Sequence, residues 1–387
     1  MGPLGGMRVV EMSGIGPAPF CGMLLADMGA SVLSVQRTAR ADLGIDVDRR
    51  FDLLNRGKQA VAADLKSPGG VDLVLSLAAK ADILIEGFRP GVMERLGLGP
   101  EACMAANPRL VFGRMTGWGQ DGPLKDRAGH DINYIAMAGV LGSLGPQGGA
   151  PAVPLNLIGD FGGGALFLAL GLLAAVIEAR KSGKGQVVDA AMVDGAATLM
   201  TMQYGLRQAG LWSLDRGANL LDGGAPFYRT YPTRDGKYVA VGAIEKRFFQ
   251  ALVSGLGLDP ETLPGQNDTS RWSELAAAIG AEFLKRDRDD WAEHFAATDA
   301  CVSPVLDMDE SVSHPLAVSR GMFDDTGGVV QPRPAPQFSK TPSSVQGPPP
   351  DARETACQAL ADWGIDGDRI ARLVAEGVIA GPADSTR

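Results

Sequence analysis

The sequence has only four cysteines, and it lacks an apolar run of membrane-spanning length. The cysteines are scattered through the 387 residues and form no CxxC pair and no metal-ligand spacing. Such cysteines are typical of reduced core residues in a cytosolic protein rather than of a disulfide framework. The longest apolar run covers residues 165–177, whereas a membrane-spanning helix needs roughly 20 residues, so we expect a buried helix there.

Targeting signals are lacking in the sequence as well. Its first residues, MGPLGGMRVVEMSG, lack the basic region and long apolar run of a signal peptide. Its last residues, ADSTR, do not form an SKL-type peroxisomal address. We therefore expect a cytoplasmic protein with no membrane span.

Positive charge is in deficit, with 36 Lys and Arg against 45 Asp and Glu and a net charge of −9. A nucleic-acid partner normally requires a basic stripe, so this balance argues against one. An anionic ligand is still compatible with the sequence, because local clusters of Arg and Lys can act against the overall sign. The length suffices for two domains with a sizeable core.

A complete dinucleotide fingerprint is also lacking. Gly14 and Gly16 follow a predicted strand, but Pro19 stands where the third glycine of a Rossmann motif would fall. Pro17 and Pro19 remove backbone donors from the phosphate cradle. The second strand ends at Arg37, without the acid that holds a ribose hydroxyl. We therefore expect no NAD site. Arg37 suits a phosphate, although a solvated surface arginine is an equally good interpretation.

Strand and helix patterns alternate in the first quarter of the sequence. Strands are predicted at 7–12, 31–36, 61–64, 83–86 and 110–114, with helices at 20–28 and 71–79 between them. This alternation favours an α/β fold with a parallel, doubly wound sheet.

We predict three regions. A Rossmann-like large domain covers 1–205 and includes a strand-helix unit at 186–205. A smaller α+β domain covers 225–310, with a β-hairpin around Asp235 and Gly236 followed by helices. Residues 331–387 begin with a strap at 331–350 that holds seven prolines and should be extended. Two short helices, at 352–362 and 366–376, are expected to return to the large domain.

Three acidic or imidazole clusters are candidates for chemistry. His130, one of three histidines, precedes Asp131 at the start of an apolar helix-like run. Asp131 is a natural N-cap there, but a helix N-terminus can also stabilise a reacting carbonyl, and His130 can carry a proton near neutral pH. Asp160 likewise precedes an apolar helix, either as an N-cap or as a functional carboxylate. Glu245 follows an apolar strand and is compatible with a plain surface position.

Basic residues recur at the predicted strand ends of the large domain, at Arg37, Lys66, Arg89 and Arg95. Ligands of open α/β sheets bind at the carboxyl ends of the strands. Positive groups there suit a polyphosphate such as coenzyme A, and ordinary loop charge is the alternative.

Long ordered motifs give a resemblance that covers nearly the whole chain. They include GIGPAPFCGMLLADMGASV, NRGKQAVAADLKS, ADILIEGFRPGVMERLGLG, RMTGWGQDGP, AGHDINYIAMAGVL, PLNLIGDFGGG, SGKGQVVDAAMVDG and VAVGAIE. On these motifs the sequence resembles the family III CoA-transferases, and within them the branch of the α-methylacyl-CoA racemases.

The resemblance implies roles for particular residues. His130 and Asp160 would form the acid/base pair, supported by Asp131 and Glu245. The fold would be an interlocked homodimer, with each active site between the large domain of one subunit and the small domain of the other. No metal and no cofactor beyond the CoA of the substrate is implied. The implied CoA contacts are Arg37, Ala63, Asp64, Leu65, Lys66, Gly87, Phe88, Arg89, Arg95, Gly129, Ile132, Asn133 and Tyr134.

The implied reaction is a 1,1-proton transfer at C2 of a 2-methylacyl-CoA thioester, through an enolate that backbone N–H groups near Asp131 would hold. One alternative within the family is a CoA-transferase, in which the residue matching Asp131 is a nucleophile that forms an anhydride. A non-catalytic CoA-binding protein is a third possibility. Sterol side chains, branched fatty acids and arylpropionates are all compatible acyl groups.

Overall fold

The structure is a computed structural model, and it describes residues 2–38 and 47–381. The final ADSTR lies outside the described residues. In chain order the strands are β1 (Arg8–Met12), β2 (Ser31–Arg37), β3 (Gln59–Ala63), β4 (Ile83–Glu86), β5 (Val111–Thr116), β6 (Val187–Ala191), β7 (Tyr228–Pro232), β8 (Tyr238–Gly242), β9 (Val302–Pro304), β10 (Phe323–Thr326) and β11 (Val329–Pro332).

Helices separate most of these strands. In chain order they are α1 (Pro17–Asp27), α2 (Pro68–Ala78), α3 (Val92–Arg95), α4 (Pro100–Ala106), α5 (Asp131–Met137), α6 (Val140–Ser143), α7 (Leu166–Ser182), α8 (Met192–Leu199), α9 (Thr201–Gln208), α10 (Lys246–Gly255), α11 (Trp272–Phe283), α12 (Arg288–Phe295), α13 (Met308–Ser313), α14 (Pro315–Arg320), α15 (Ala356–Asp362) and α16 (Gly367–Ala375). A π-helical segment, Leu157–Ala165, runs directly into α7. Short 3-10 turns lie at Arg49–Phe51, Leu53–Asn55 and Thr269–Arg271.

Six parallel strands form the large sheet, in the order β3-β2-β1-β4-β5-β6. The predicted α/β class with a parallel sheet is therefore confirmed. The strand order reverses between β1 and β4, and the segments that leave these two strands pass to opposite faces of the sheet, which opens a crevice there. Short buried runs such as Ile83–Glu86 suit this position, because strands of a parallel sheet are covered on both faces.

Successive side chains of each strand enter two different cores, since they point to opposite faces of the sheet. Val10 and Leu84 pack with α2, α4, α15 and α16 on one face. Val9 and Ile83 pack with α1 and α7 on the other. Helix α1 begins at Pro17, three residues before the predicted start, because proline at the first helical position loses no helical hydrogen bond.

Residues 378–380 lie along the outer edge of β3. The Ala380 N–H donates to the Ala62 carbonyl at 3.0 Å, and the Asp64 N–H donates to the Val378 carbonyl at 2.8 Å. An isolated antiparallel bridge joins Ala63 and Ile379. This segment satisfies backbone groups that an edge strand otherwise leaves unpaired.

The chain divides into two compact units. The first comprises Met1–Ala138, Pro154–Leu199 and Ser319–Arg387, as far as the structure describes these ranges, and it holds the large sheet. The second comprises Gly139–Val153 and Met200–Val318. It contains the antiparallel sheet β7-β8-β9, which packs against α10, α11 and α12. The hairpin predicted around Asp235 and Gly236 is confirmed by the pairing of β7 with β8.

The predicted strap begins later than expected. Gln331 and Pro332 belong to β11, which pairs with β10 around Gly327 and Gly328. Both glycines have positive φ, of 65° and 77°, as a tight hairpin turn requires. Residues 333–350, all within the part of the chain that the structure describes, contain neither helix nor strand.

The apolar helix is longer than the sequence indicated. The π-helical segment and α7 form one helix of 26 residues, Leu157–Ser182, which is long and apolar enough to cross a membrane by length and composition. The helix is therefore longer than the apolar run, and the expected burial holds for one side of it. One side of α7 packs against β5 and β6 through residues such as Leu168 and Leu172. Apolar side chains on the rest of the helix, including Leu166, Leu170 and Ile177, are exposed in this chain.

Candidate active site

A cavity of about 690 Å³ lies at the carboxyl ends of β1, β4 and β5. Its walls come from the segments that follow these strands, at 14–19, 87–90 and 115–118, together with residues 128–130 and the π-helical segment. This is the place where the strand order reverses, and open α/β sheets bind their ligands there.

His130 lines this cavity and is the N-cap of α5. Its backbone is extended, with φ −131° and ψ 175°, and its N–H donates to Oδ1 of Asn133 at 3.0 Å. Asp131 was expected to be the cap, but it is the first helical residue. Asn133 explains the difference, because its side chain accepts the His130 N–H and fixes the chain direction at His130.

Asp131 points away from the cavity and into the protein. Only 4% of the residue is exposed, and it is not part of the cavity lining. Its Oδ2 accepts the backbone N–H groups of Gly159 at 2.6 Å and of Asp160 at 2.7 Å. Its Oδ1 is buried without a hydrogen-bond partner among the described residues. Asp131 therefore fixes the backbone that carries Asp160.

Asp160 lines the cavity from inside the π-helical segment. Of the two interpretations of Asp160, the N-cap is wrong, because the helix begins before it, at Leu157. Asn156 donates from Nδ2 to Oδ2 of Asp160 at 3.0 Å. π-Helical turns inside longer helices frequently mark functional sites, since they reorient one side chain.

Burial raises the pKa of Asp160 above its ordinary value of 3.8. The negative charge of Asp131 raises it further, while the Asn156 hydrogen bond and the charge of His130 lower it. Both His130 and Asp160 line the same cavity. The structure thus brings an imidazole and a carboxyl with a raised pKa to one pocket.

The backbone at Gly16 passes close to the Asp160 carboxylate. Gly16 has φ +67°, and a Cβ built there would lie 2.9 Å from Oδ2 of Asp160. Next to it, the rings of Phe20 and Phe161 pack with centroids 4.4 Å apart. Gly16 therefore allows the backbone to pass close to the side chain of Asp160 rather than to a dinucleotide.

A buried ion pair, not anticipated from the sequence, supports the cavity wall. Lys58 Nζ donates to both carboxylate oxygens of Glu11 at 2.9 and 2.8 Å, to the Pro19 carbonyl at 3.0 Å and to Asn55 Oδ1 at 3.0 Å. Burial raises the pKa of Glu11, and the Lys58 charge opposes this effect. Pro19 and Asn55 both line the cavity, so Lys58 joins two of its walls.

The predicted CoA contacts divide into two sets. Gly87, Phe88, Arg89, Gly129 and Tyr134 line the cavity. Arg37 does not, but its guanidinium lies 5.8 Å from the ring centroid of Phe88. The structure places the remaining predicted contacts outside the lining, namely Ala63, Asp64, Leu65, Lys66, Arg95, Ile132 and Asn133.

Two further cations line the cavity, Lys125 and Arg127. Both are exposed and lie in the loop between β5 and α5. The sequence contained the signal, since the segment PLKDRAG places two basic residues just before His130. Among the residues that the structure describes, no three His, Cys, Asp or Glu side chains cluster as metal ligands would.

Glu245 belongs to the second unit. It is exposed and forms the N-cap of α10, where its carbonyl accepts the N–H groups of Phe248 and Phe249, each at 2.9 Å. Its location after β8 agrees with the strand-end position read from the sequence.

Comparisons with known proteins agree with this architecture. Residues 4–355 match CoA-transferase family III. The chain is 43% identical over 378 residues to "Alpha-methylacyl-CoA racemase" of Mus musculus, and 43% identical over 379 residues to the Homo sapiens protein of that name, with 97% of each chain covered in both cases. The structure is similar to that of a CAIB/BAIF family protein from Brucella suis, with a TM-score of 0.81, 26% identity, and coverage of 94% of this chain and 99% of that one. The chain therefore belongs to CoA-transferase family III.

Proposed function

We propose that the protein is a racemase that interconverts the (2R) and (2S) forms of 2-methylacyl-CoA thioesters. The observation that carries this proposal is the presence of His130 and Asp160 in one cavity at the switch point of the sheet. Racemisation needs a proton carrier on each face of one carbon, and an imidazole and a carboxyl supply them. The similarity to proteins named as α-methylacyl-CoA racemases supports the same assignment.

In the proposed reaction, one of the two residues removes the proton from C2 and the thioester becomes an enolate. The other residue returns a proton to the opposite face. The raised pKa of Asp160 favours this exchange, because a carboxyl that titrates closer to neutral pH can both accept and donate a proton. General acid/base catalysis of this kind is worth about 10²–10⁴-fold. In this scheme the N-terminal end of α5, which begins at Asp131, would stabilise the enolate oxygen.

Cationic groups would bind the CoA portion of the substrate. Arg89, Lys125 and Arg127 line the cavity, and Arg37 lies over the ring of Phe88. Guanidinium and ammonium groups form charge-assisted hydrogen bonds with phosphate oxygens. The thioester would then lie deeper in the cavity, toward His130 and Asp160. No metal and no resident cofactor takes part in this scheme.

We also propose that the protein acts as a cytoplasmic, interlocked homodimer, in which Glu245 of one subunit supports the acid/base pair of the other. The exposed apolar side chains of α7 support a second copy as their partner, since Leu170 is 67% and Ile177 56% exposed. All four cysteines are free thiols, as expected in a reducing compartment.

The second candidate is a CoA-transferase with Asp131 as the nucleophile. Family membership alone favours it. A nucleophile must reach the thioester carbon, however, whereas Asp131 is 4% exposed, lies outside the cavity lining and already accepts two backbone N–H groups through Oδ2. We therefore favour the racemase.

The test follows deuterium incorporation at C2 by NMR in heavy water, with a panel of 2-methylacyl-CoA esters and no free acid present. We expect incorporation with the native protein and a loss of about 10²-fold or more in His130→Ala. His294→Ala is the matched control, because His294 is an exposed histidine of α12 in the second unit. Absence of deuterium at C2, with acyl exchange that occurs only when a carboxylate acceptor is added and an acyl-enzyme trapped by hydroxylamine, would establish the transferase instead.

A further inference from the structure

Glu86 is a buried carboxyl beside the proposed CoA site. It is the last residue of β4, only 3% exposed, and it immediately precedes Gly87, Phe88 and Arg89, which line the cavity. Glu86 itself is not part of the lining. Its Oε2 accepts the backbone N–H of Phe88 at 2.8 Å. This bond closes the turn that carries the chain from the strand into the cavity wall.

The cation next to Glu86, Arg114, forms its hydrogen bonds mainly with other groups. Arg114 lies opposite Glu86 on β5, with Nε 3.5 Å from Oε1 of Glu86. One of its terminal nitrogens donates to Gln120 Oε1 at 2.7 Å, and the other contacts the carboxylate of Glu94. The Nε is buried and has no hydrogen-bond partner among the described residues. The Phe88 N–H is therefore the close hydrogen bond of the Glu86 carboxylate.

Burial raises the pKa of Glu86 to about 7. The Phe88 N–H and the charge of Arg114 lower the pKa, whereas the negative charges of Glu94 on α3 and Asp189 on β6 raise it. Glu86 thus changes its charge within the physiological pH range. The hydrogen bond to Phe88 is charge-assisted only in the ionised form, and charge-assisted bonds are roughly twice as strong as neutral ones.

We propose that Glu86 is a positioning residue for coenzyme A, whose carboxylate holds the Phe88 N–H and so keeps the turn of Gly87, Phe88 and Arg89 in the shape that grips the phosphates. The proposal rests on the proposed function, in that the ligand is a CoA ester. Phe88 links the turn to a second cation, because Arg37 lies over its ring. Loss of the Glu86 charge makes the turn less rigid and weakens the binding of the CoA phosphates. It does not affect the groups at the reacting carbon.

The direction of the pH effect follows from these contacts. Below about pH 7 Glu86 carries a proton and its bond to Phe88 is the weaker, neutral one. As the pH rises through that value, the carboxylate forms, the turn is held more firmly and coenzyme A binds more tightly. Glu86→Gln retains the size and one acceptor oxygen but never ionises, so it corresponds to the low-pH form.

The experiment measures the dissociation constant of coenzyme A by calorimetry between pH 6 and pH 8.5, for the native protein and for Glu86→Gln. Titration of the ligand phosphate and of every other protein group is common to both proteins, so the ratio of the two constants reports Glu86. We expect a ratio near one at pH 6 that grows to about fivefold at pH 8.5. In the exchange assay the variant should show a raised KM and an unchanged kcat. Glu101→Gln, at an exposed position of α4, is the matched control.

A second variant tests the same idea without altering Glu86. Glu94→Gln removes a charge that raises the pKa of Glu86 and releases a donor of Arg114. It should move the pH midpoint of coenzyme A binding downward, and the 47% exposure of the Glu94 side chain makes the change easy to accommodate. A pH-independent ratio for Glu86→Gln and an unmoved midpoint for Glu94→Gln would overturn the positioning role. Failure of the native protein to bind coenzyme A at all would instead overturn the proposed function.

Discussion

Replacing Asp131 by asparagine separates its two possible roles. Its Oδ2 accepts two short backbone hydrogen bonds, from Gly159 at 2.6 Å and from Asp160 at 2.7 Å. Asparagine keeps one oxygen that can accept both, but each bond loses its charge assistance. Since a hydrogen bond to a charged group contributes roughly 1 kcal/mol more than a neutral one, we expect the free energy of unfolding to fall by about 2 kcal/mol.

The truncation Asp131→Ala should cost more, because it leaves the N–H groups of Gly159 and Asp160 without their acceptor. Each buried donor left unsatisfied costs roughly 1–3 kcal/mol, so we expect a loss of about 4 kcal/mol. Equilibrium unfolding in urea measures both variants. Equal losses in the two variants would show that Asp131 does not support this backbone.

Exchange at C2 tests the support role of Asp131, and acyl transfer to an added carboxylate tests the nucleophile role. If Asp131 only holds Asp160 in place, Asp131→Asn should retain exchange at roughly a tenth to a hundredth of the native rate, as expected for a small displacement of a catalytic group. Loss of a nucleophile would instead lower acyl transfer to the added carboxylate by on the order of 10⁴-fold or more. A folded Asp131→Asn protein with no detectable exchange would therefore refute the reasoning.

The same variant has a predicted effect on the pH profile. The charge of Asp131 raises the pKa of Asp160, so its removal lowers that pKa. The carboxylate form of Asp160 then persists to lower pH. The limb of the profile that requires ionised Asp160 should move to lower pH, and a movement to higher pH would contradict the electrostatic link between the two carboxyls.

Two further perturbations test the surroundings of the site. Gly16→Ala places a Cβ 2.9 Å from Oδ2 of Asp160 at a residue with φ +67°, so exchange should fall by about tenfold or more. Gly367→Ala in α16, where a Cβ meets nothing within 4 Å and which lies outside the cavity lining, should leave the rate unchanged. Lys58→Met leaves the buried Glu11 carboxylate without its cation. It should lower the free energy of unfolding by about 3–5 kcal/mol, measured by equilibrium unfolding in urea. The double variant with Glu11→Leu should regain most of that loss, and simple addition of the two losses would show that the pair is not coupled.

The sequence predicts well those features of the fold that depend on short segments, namely the strands and helices and their order. The strands of the large sheet are compact apolar runs separated by helical patterns, and parallel pairing of such runs follows from the connections between them. The crevice at the switch point follows from that topology, and His130 and Asp160 both line it. The local pattern of apolar and polar residues is therefore sufficient to predict where in the sheet the site lies.

Details of the site depend on contacts that local pattern does not contain. The side chain of Asn133 decides that His130 rather than Asp131 is the cap. A 3.6-residue period does not detect the π-helical segment, so the sequence pattern predicts that Asp160 precedes its helix. Lys58 and Glu11 are 47 positions apart, and only the folded sheet brings them together.

The position of α15 and α16 has a consequence for biosynthesis. Trp363 and Leu373 are core residues on the same face of the sheet as Val10 and Leu84, which a ribosome makes hundreds of residues earlier. Until residues 356–380 emerge, the part of that face which α15 and α16 cover and the edge of β3 stay open to water and to other chains. The first strands to be translated therefore depend on the last helices for cover, and a nascent chain of this protein should engage chaperones through almost its whole synthesis.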